Sequence, residues 1–157
     1  MIPTEEIDLV VIEDSPNDVE LIMRALKSVN LANRVHVSRD GRQALDYLFK
    51  VDENGISRLA HTPKVILLDL KLPKVNGIEV LKTLKSDERT KEIPVVMLTS
   101  SQETKDLDAC YSLGANSYIV KPFGFDQFAK AVAEAGLYWL VVNQPPIKVR
   151  EGLGDGN

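Results

Sequence analysis

The chain alternates short apolar runs with longer amphipathic stretches. Five segments have the composition of β-strands, because four are apolar and β-branched and one alternates apolar with polar positions. The predicted strands are Ile7–Ile12, Asn33–Ser38, Val65–Leu68, Pro94–Leu98 and Ser117–Val120. The third of them is apolar at each position, which is typical of a strand that is covered on both faces of a sheet.

The stretches between the strands carry apolar residues at helical spacing. The first stretch begins with Ser15 as the predicted N-cap and Pro16 at the first helical position. An apolar face then repeats at i, i+3, i+4 and i+7 through Val19, Ile22, Met23 and Leu26. The last predicted helix begins near Phe125 or Asp126 and runs through Trp139, whereas the polar residues 51–63 predict a long connecting loop.

Strand and helix alternate five times, which predicts an α/β fold. We expect a (βα)5 doubly wound, parallel five-stranded sheet with helices on both faces and right-handed crossovers. Residues 5–142 form the predicted domain, and residues 143–157, with two prolines and three glycines, form a loosely held tail. Gly77 is assigned to the backbone of the turn after the third strand rather than to binding.

Composition narrows the class of protein. The chain has 157 residues, which suits one domain, and a net charge of −4, which argues against a nucleic-acid partner. Its single cysteine, Cys110, excludes disulfides and cysteine-based zinc sites, and we expect it to pack as a small apolar residue. No apolar run approaches the roughly 20 residues of a membrane helix. The acidic N-terminus does not resemble a signal peptide, so the expected location is the cytoplasm.

Polar side chains follow four of the predicted strands. Glu13 and Asp14 follow the first strand, Asp69 the third, Thr99 the fourth and Lys121 the fifth. The carboxyl ends of parallel strands share one edge of the sheet, so we expect these groups to converge. Strand ends are often polar because the chain leaves the core there, but that explanation does not account for three acids, a hydroxyl and an amine together.

Three crowded carboxylates repel one another unless a cation lies between them. Mg²⁺ fits this set best, because it accepts one or two carboxylates and retains water and phosphate oxygens as further ligands. With a lysine and a hydroxyl nearby, the site has the parts for phosphoryl transfer: a nucleophilic carboxylate, a metal ion, a cation and a hydrogen-bond donor.

Five segments of the chain resemble the receiver domain of two-component response regulators in both order and spacing. They are VVIEDSP, ILLDLKLP, VNGIEVL, VVMLTSS and SYIVKPF, and the match extends over about residues 5–135. The resemblance implies a flavodoxin-like receiver that accepts a phosphoryl group from a histidine kinase on Asp69. Asp14 and Asp69 would bind Mg²⁺ together with the backbone carbonyl of Lys71, and Glu13 would act through a metal-bound water or with Lys121.

The resemblance also implies roles for residues on the fourth and fifth strands. Lys121 would bind the phosphoryl group, Thr99 would swing to one of its oxygens, and Tyr118 would turn inward behind Thr99. The Lys121–Pro122 peptide bond would be cis.

The C-terminal segment AGLYWLVVNQPP is similar to the end of the single-domain regulators that partner bacterial and cyanobacterial phytochromes. The loop at 51–63 and the position of Lys71 also fit that subgroup. The resemblance implies a phytochrome-type histidine kinase as phosphodonor. It also implies a homodimer through the fourth helix, the fifth strand, the fifth helix and the C-terminal segment.

Two other functions stay open. One is a Mg²⁺-dependent phosphatase with an aspartyl nucleophile, although such enzymes use Asp-x-Asp and this chain has Asp69-Leu70-Lys71. The other is a receiver-like interaction module that is never phosphorylated. For a phosphorylated regulator, the stretch after the last helix is too short for a DNA-binding module. Its output would therefore be protein–protein interaction or phosphorelay to another histidine.

Overall fold

The sheet contains five parallel strands in the order β2-β1-β3-β4-β5. The computed structural model describes residues 6–121 and 124–145. The strands are β1 (Leu9–Ile12), β2 (Val35–Ser38), β3 (Val65–Leu68), β4 (Val95–Thr99) and β5 (Ser117–Val120). The helices are α1 (Pro16–Ser28), α2 (Gly41–Leu48), α3 (Gly77–Ser86), α4 (Thr104–Ser112) and α5 (Phe125–Leu137). The predicted (βα)5 fold and parallel pairing are confirmed.

Apolar layers cover both faces of the sheet. Val10 and Ile12 of β1 pack into a layer with α2, α3 and α4, whereas Leu9 and Val11 pack into a layer with α1 and α5. All four residues of β3 are buried, as predicted for a central strand. The first helix begins as predicted, because the Ser15 hydroxyl accepts a hydrogen bond from the backbone N–H of Asp18 at 3.3 Å.

Several boundaries differ from the sequence prediction. The second strand begins two residues later, and Thr99 is the last residue of β4 rather than the first beyond it. The predicted loop at 51–63 contains an antiparallel bridge between Val51 and Ser57 and a 3₁₀ turn at Arg58–Ala60. Gly55, at φ +79°, permits the tight reversal between the two bridge partners.

The C-terminal end of the fold departs from a plain helix. Helix α5 ends at Leu137 and a π-helical turn at Tyr138–Val142 continues it, so the predicted helical end at Trp139 lies within that turn. The predicted cis bond before Pro122 and residues 146–157 of the predicted tail lie outside the described residues. Among the helices of the described ranges, none has both the length and the hydropathy needed to cross a bilayer.

Cys110 lies in the core, as its sequence context predicts. The side chain is fully buried on α4, and burial, with a smaller effect of Asp106, raises the pKa of the thiol to about 11. We expect the native protein to react with a thiol reagent at pH 7.5 far more slowly than the urea-unfolded chain, because the reactive thiolate is scarce and inaccessible. A colorimetric thiol titration with and without urea measures the difference. Equal rates would contradict the buried placement.

Candidate functional site

The sheet aligns the residues that follow β1 and β3. Ile12 pairs with Leu68 at the ends of these strands, so Glu13 and Asp69 leave the sheet side by side. The backbone N–H of Asp69 donates to the Ile12 carbonyl at 3.1 Å, and that of Glu13 donates to the Ser38 carbonyl at 3.0 Å. The register of the parallel strands therefore places the two acids together, as expected from their positions at the carboxyl ends of parallel strands.

Three carboxylates form the candidate metal site. Glu13, Asp14 and Asp69 each offer an oxygen within 4.8 Å of the others. Glu13 and Asp69 are buried, whereas Asp14 is exposed, so the cluster opens to solvent on one side. Carboxylate oxygens on an open rim suit a hard divalent cation that retains water ligands. The backbone N–H of Lys71 lies 3.4 Å from Asp69 Oδ1, while the Lys71 side chain is exposed.

The Lys121 ammonium group is the cation of the site. Its Nζ donates to Glu13 Oε1 at 2.7 Å, to Asp18 Oδ2 at 2.8 Å and to Asp69 Oδ2 at 3.2 Å. Burial alone would lower the pKa of Lys121, but the hydrogen bonds to Asp18 and Glu13 outweigh burial and the pKa is raised. The amine therefore stays protonated and neutralises part of the acidic cluster.

Glu13 depends on that cation for its charge. Burial raises its pKa from 4.5 to about 7, against the lowering effect of the hydrogen bond from Lys121, and the nearby negative charge of Asp69 raises it further. A carboxyl in this position exchanges its proton near neutral pH and is stabilised as an anion by any additional positive charge.

Asp18 was not predicted as a site residue. The sequence marks it only as an acid in the first turn of α1, a common position that complements the helix dipole. Because α1 begins at the same edge of the sheet where β1 ends, its first turn also faces the site. An acid four residues after Asp14, one helical turn further on, was the available signal.

Thr99 and Tyr118 lie on neighbouring strands. Thr99 is fully buried, and its Oγ1 accepts a hydrogen bond from the backbone N–H of Ser101 at 3.3 Å. Within the described part of the chain, no hydrogen bond joins Thr99 to Asp69. Tyr118 packs against the core, its hydroxyl donates to the Ser101 carbonyl at 3.0 Å, and burial raises its pKa. Both side chains are thus anchored on the loop that follows β4.

Gly77 is needed for space. A Cβ atom at this position would clash with the backbone carbonyl of Asp69 and would lie 2.6 Å from Leu70 Cα. Its φ does not lie in the left-handed region, where Gly55 and Gly114 are found. Gly77 therefore serves the backbone of the turn by letting the start of α3 approach the chain just after β3.

These groups together could carry out phosphoryl transfer. Asp69 provides a nucleophilic carboxylate, Lys121 a positive charge beside it, and Glu13 and Asp14 the remaining oxygens of a cation site. The arrangement gathers every acid predicted from the ends of the strands. The predicted participation of the Lys71 carbonyl stays a prediction.

Comparisons with known proteins give one consistent family. A model of the response regulator receiver domain matches residues 9–133. The bacteriophytochrome response regulator AtBRR is 49% identical, with a TM-score of 0.64 and coverage of 87% of this chain and 96% of that one. The phosphorylated cyanobacterial phytochrome response regulator RcpA is 37% identical, with a TM-score of 0.79 and coverage of 88% and 96%.

One relative of similar identity is named for methanogenesis rather than for light signalling. The probable methanogenesis regulatory protein FilR2 of Methanothrix harundinacea is 43% identical over 138 residues, which span 88% of this chain and 86% of that protein. Similarity of this degree therefore extends beyond proteins named for light signalling.

Proposed function

This chain belongs to the family of response regulator receiver domains, and from that premise we propose that Asp69 is its phosphoryl acceptor. It is homologous to phytochrome response regulators, and the family implies a histidine kinase as partner. One observation carries the proposal: the Lys121 ammonium group contacts the buried Asp69 carboxylate at 3.2 Å. The same ammonium group also contacts Glu13 and Asp18. A family match alone would not require this constellation.

The transfer follows from the chemistry of these groups. A carboxylate oxygen of Asp69 attacks the phosphorus of a phosphohistidine whose other ring nitrogen carries a proton. The new O–P bond forms as the P–N bond breaks, and the imidazole leaves as the neutral ring with the electron pair of that bond and the proton it already held. Lys121 offsets the charge that collects on the phosphoryl oxygens. Burial of Asp69 limits the access of water to the acyl phosphate. Asp18 and Glu13 hold the lysine in place from the other side.

Receiver domains bind a divalent metal at this acidic pocket, and a homologous regulator has been solved with Mn²⁺ bound. We propose Mg²⁺ here, held by Asp14, Asp69 and the Lys71 carbonyl, with Glu13 acting through a bound water or through Lys121. The donor set fits, because all of its members are oxygens and the rim is open. When bound, the ion would supply positive charge between acceptor and phosphoryl oxygens.

Purified protein with acetyl phosphate and Mg²⁺ tests the function. We expect a base-labile phosphoryl label at one equivalent per chain, detected by intact mass spectrometry, and none when a chelator removes the metal. Absence of any label under saturating donor and Mg²⁺ would favour the interaction module that is never phosphorylated. Continuous turnover of a phosphomonoester would instead favour a phosphatase. That reading already lacks the second aspartate of Asp-x-Asp, because position 71 is lysine.

We propose that the signal leaves the site through Thr99 and Tyr118. A phosphoryl oxygen on Asp69 attracts the Thr99 hydroxyl, and Tyr118 adjusts behind it. The face made by α4, β5 and α5 would then change partners, which is a shift between two existing states. The output would be protein–protein interaction or relay of the phosphoryl group.

The proposed phosphodonor is a phytochrome-type histidine kinase. The similarity to AtBRR and RcpA supports this donor. The similarity to FilR2, which is named for methanogenesis, supports the alternative of a histidine kinase that is not a phytochrome. Profiling phosphotransfer over seconds from several purified kinases decides between them, because a cognate pair should be fastest. We also place the protein in the cytoplasm, where ATP supplies the kinase, and without a nucleic-acid partner, as the net charge of −4 suggests.

We propose a homodimer through α4, β5, α5 and the C-terminal segment, with residues 5–142 as the receiver unit. Trp139 and Leu140 pack against the core, so this segment belongs to the folded unit. Large apolar side chains on this surface are nevertheless exposed: Leu107, Tyr111, Val120, Leu137, Tyr138, Val141 and Val142. Exposed apolar groups of this size are typical of protein interfaces.

Val141→Asp is expected to convert the dimer to a monomer at micromolar concentration, because a charge buried at an apolar interface is strongly unfavourable. Light scattering after size exclusion measures the mass. Val51→Asp is the matched control, since Val51 is 53% exposed and Val141 is 61% exposed, but Val51 lies outside the proposed surface. Equal masses for both variants and the parent protein would contradict this interface.

A further inference from the structure

Ser101, two residues beyond β4, bonds through three of its groups to three different parts of the protein. Its backbone N–H donates to Thr99 Oγ1 at 3.3 Å, and its carbonyl accepts from the Tyr118 hydroxyl at 3.0 Å. Its own hydroxyl donates to Asp106 Oδ2 at 2.5 Å. The residue is 7% exposed; its bond to Thr99 is buried, and its bonds to Tyr118 and Asp106 are partly buried.

Ser101 also supports the start of α4. The N-cap residue of this helix, Glu103, makes no side-chain capping bond. Instead, Ser101 Oγ lies 3.4 Å from the backbone N–H of Glu103 and holds the first-turn carboxylate of Asp106. A hydroxyl outside the helix therefore takes over part of the work of an N-cap.

We propose that Ser101 is a positioning residue that couples the hydroxyl of Thr99 to the first turn of α4. This inference rests on the proposed function, because phosphorylation of Asp69 is its input. When the Thr99 hydroxyl turns toward a phosphoryl oxygen, it gives up the N–H of Ser101. A buried N–H without an acceptor is unfavourable, so the loop moves with Thr99. The Ser101–Asp106 bond transmits that movement to α4.

The side chain of Ser101 is the distinctive part of this link. Thr99 and Tyr118 contact only the backbone of Ser101, which any residue at this position would offer. Removal of the hydroxyl therefore leaves both of these bonds in place and cuts only the two contacts of the side chain with the start of α4, to Asp106 and to the backbone N–H of Glu103. Ser101→Ala therefore disconnects α4 from Thr99 and Tyr118 without altering Asp69, Lys121 or the proposed metal ligands.

Hydrogen exchange of the α4 amides, read by mass spectrometry, tests the coupling. Each protein is measured with Mg²⁺ alone and with Mg²⁺ plus beryllium fluoride, a stable mimic of the phosphoryl group. In the unliganded state, we expect Ser101→Ala to exchange roughly five-fold faster than the parent across residues 104–112, because the hydroxyl loses its bond to Asp106 and its weaker one to the N–H of Glu103. Beryllium fluoride should change exchange of α4 in the parent protein and have less than half that effect in the variant.

Two further variants separate the effect of the Ser101–Asp106 hydrogen bond from the effect of the negative charge of Asp106. Asp106→Asn retains an acceptor for the Ser101 hydroxyl and should respond like the parent, whereas Asp106→Ala should respond like Ser101→Ala. Glu103→Gln is the control within the same turn, since its side chain makes no capping bond.

The outcomes are distinguishable from those of the proposed function. Ser101→Ala should still take one phosphoryl group from acetyl phosphate, so the acceptor site and the coupling are measured separately. If its α4 exchanges like that of the parent in both states, the coupling is overturned while the function stands. Loss of labelling in this variant would place Ser101 in the transfer itself and also overturn the proposal. If the parent protein itself takes no label, the proposed function is overturned, and the coupling falls with it because phosphorylation of Asp69 is its input.

Discussion

Asp69→Asn is expected to abolish labelling by acetyl phosphate. The amide oxygen that replaces the carboxylate is a poor nucleophile, and the amide nitrogen cannot hold Mg²⁺. The shape of the side chain is nearly unchanged, and one negative charge leaves a cluster where Glu13 already has a raised pKa of about 7. The free energy of unfolding should therefore change by no more than about 1 kcal/mol. Intact mass spectrometry measures the label and urea unfolding measures the stability.

Asp18→Asn is the matched control for this substitution. Asp18 also contacts Lys121, at 2.8 Å, but it is not one of the three acids that form the candidate metal site. We expect this variant to retain one phosphoryl group per chain, taken up more slowly because Lys121 is held less firmly. Full labelling of Asp69→Asn would identify another acceptor. Loss of label in both variants would mean that the charge balance around Lys121, rather than the identity of the acceptor, limits the reaction.

The main part of this site could be predicted from the sequence because the physics of a parallel sheet determines it. Residues after adjacent parallel strands must leave the sheet at one edge, and the pairing of Ile12 with Leu68 brings Glu13 to Asp69. Neither step needs knowledge of side-chain packing. The same reasoning places Thr99 beside Lys121. In the structure, the backbone N–H of Lys121 donates to the Thr99 carbonyl at 2.8 Å.

Other parts of the site depend on contacts between elements that no pattern encodes. Asp18 meets Lys121 across 103 positions of the chain, and that meeting requires the angle at which α1 leaves β1. In the sequence, Ser101 is the second of two adjacent serines after β4, and only the structure shows that Asp106 of α4 lies against its hydroxyl. The sequence pattern predicts the start of the second strand two residues too early, because alternation of side chains indicates extended backbone, whereas pairing to β1 decides where the strand begins.

Gly77→Ala is expected to lower the free energy of unfolding. The added methyl group meets the carbonyl of Asp69 and the Cα atom of Leu70, both of which are backbone. Backbone atoms cannot rotate aside as the end of a side chain can. Either the start of α3 or the chain just after β3 must therefore shift, although the N–H of Gly77 is bonded to the Leu70 carbonyl at 2.8 Å. We expect a loss of about 1–3 kcal/mol, typical of overpacking, measured by urea unfolding.

Gly124→Ala is the matched control, because the nearest atom to its added methyl group is the Gln127 side chain at 3.5 Å and its φ is −91°. We expect it to lose less than about 1 kcal/mol, the effect of alanine at an N-cap. Labelling then shows which element yields in Gly77→Ala. If the end of β3 moves, Asp69 moves with it and labelling slows. If α3 moves instead, stability falls while labelling is preserved. Unchanged stability would mean that α3 does not pack closely against the chain just after β3, and Gly77 would then have no role in positioning Asp69.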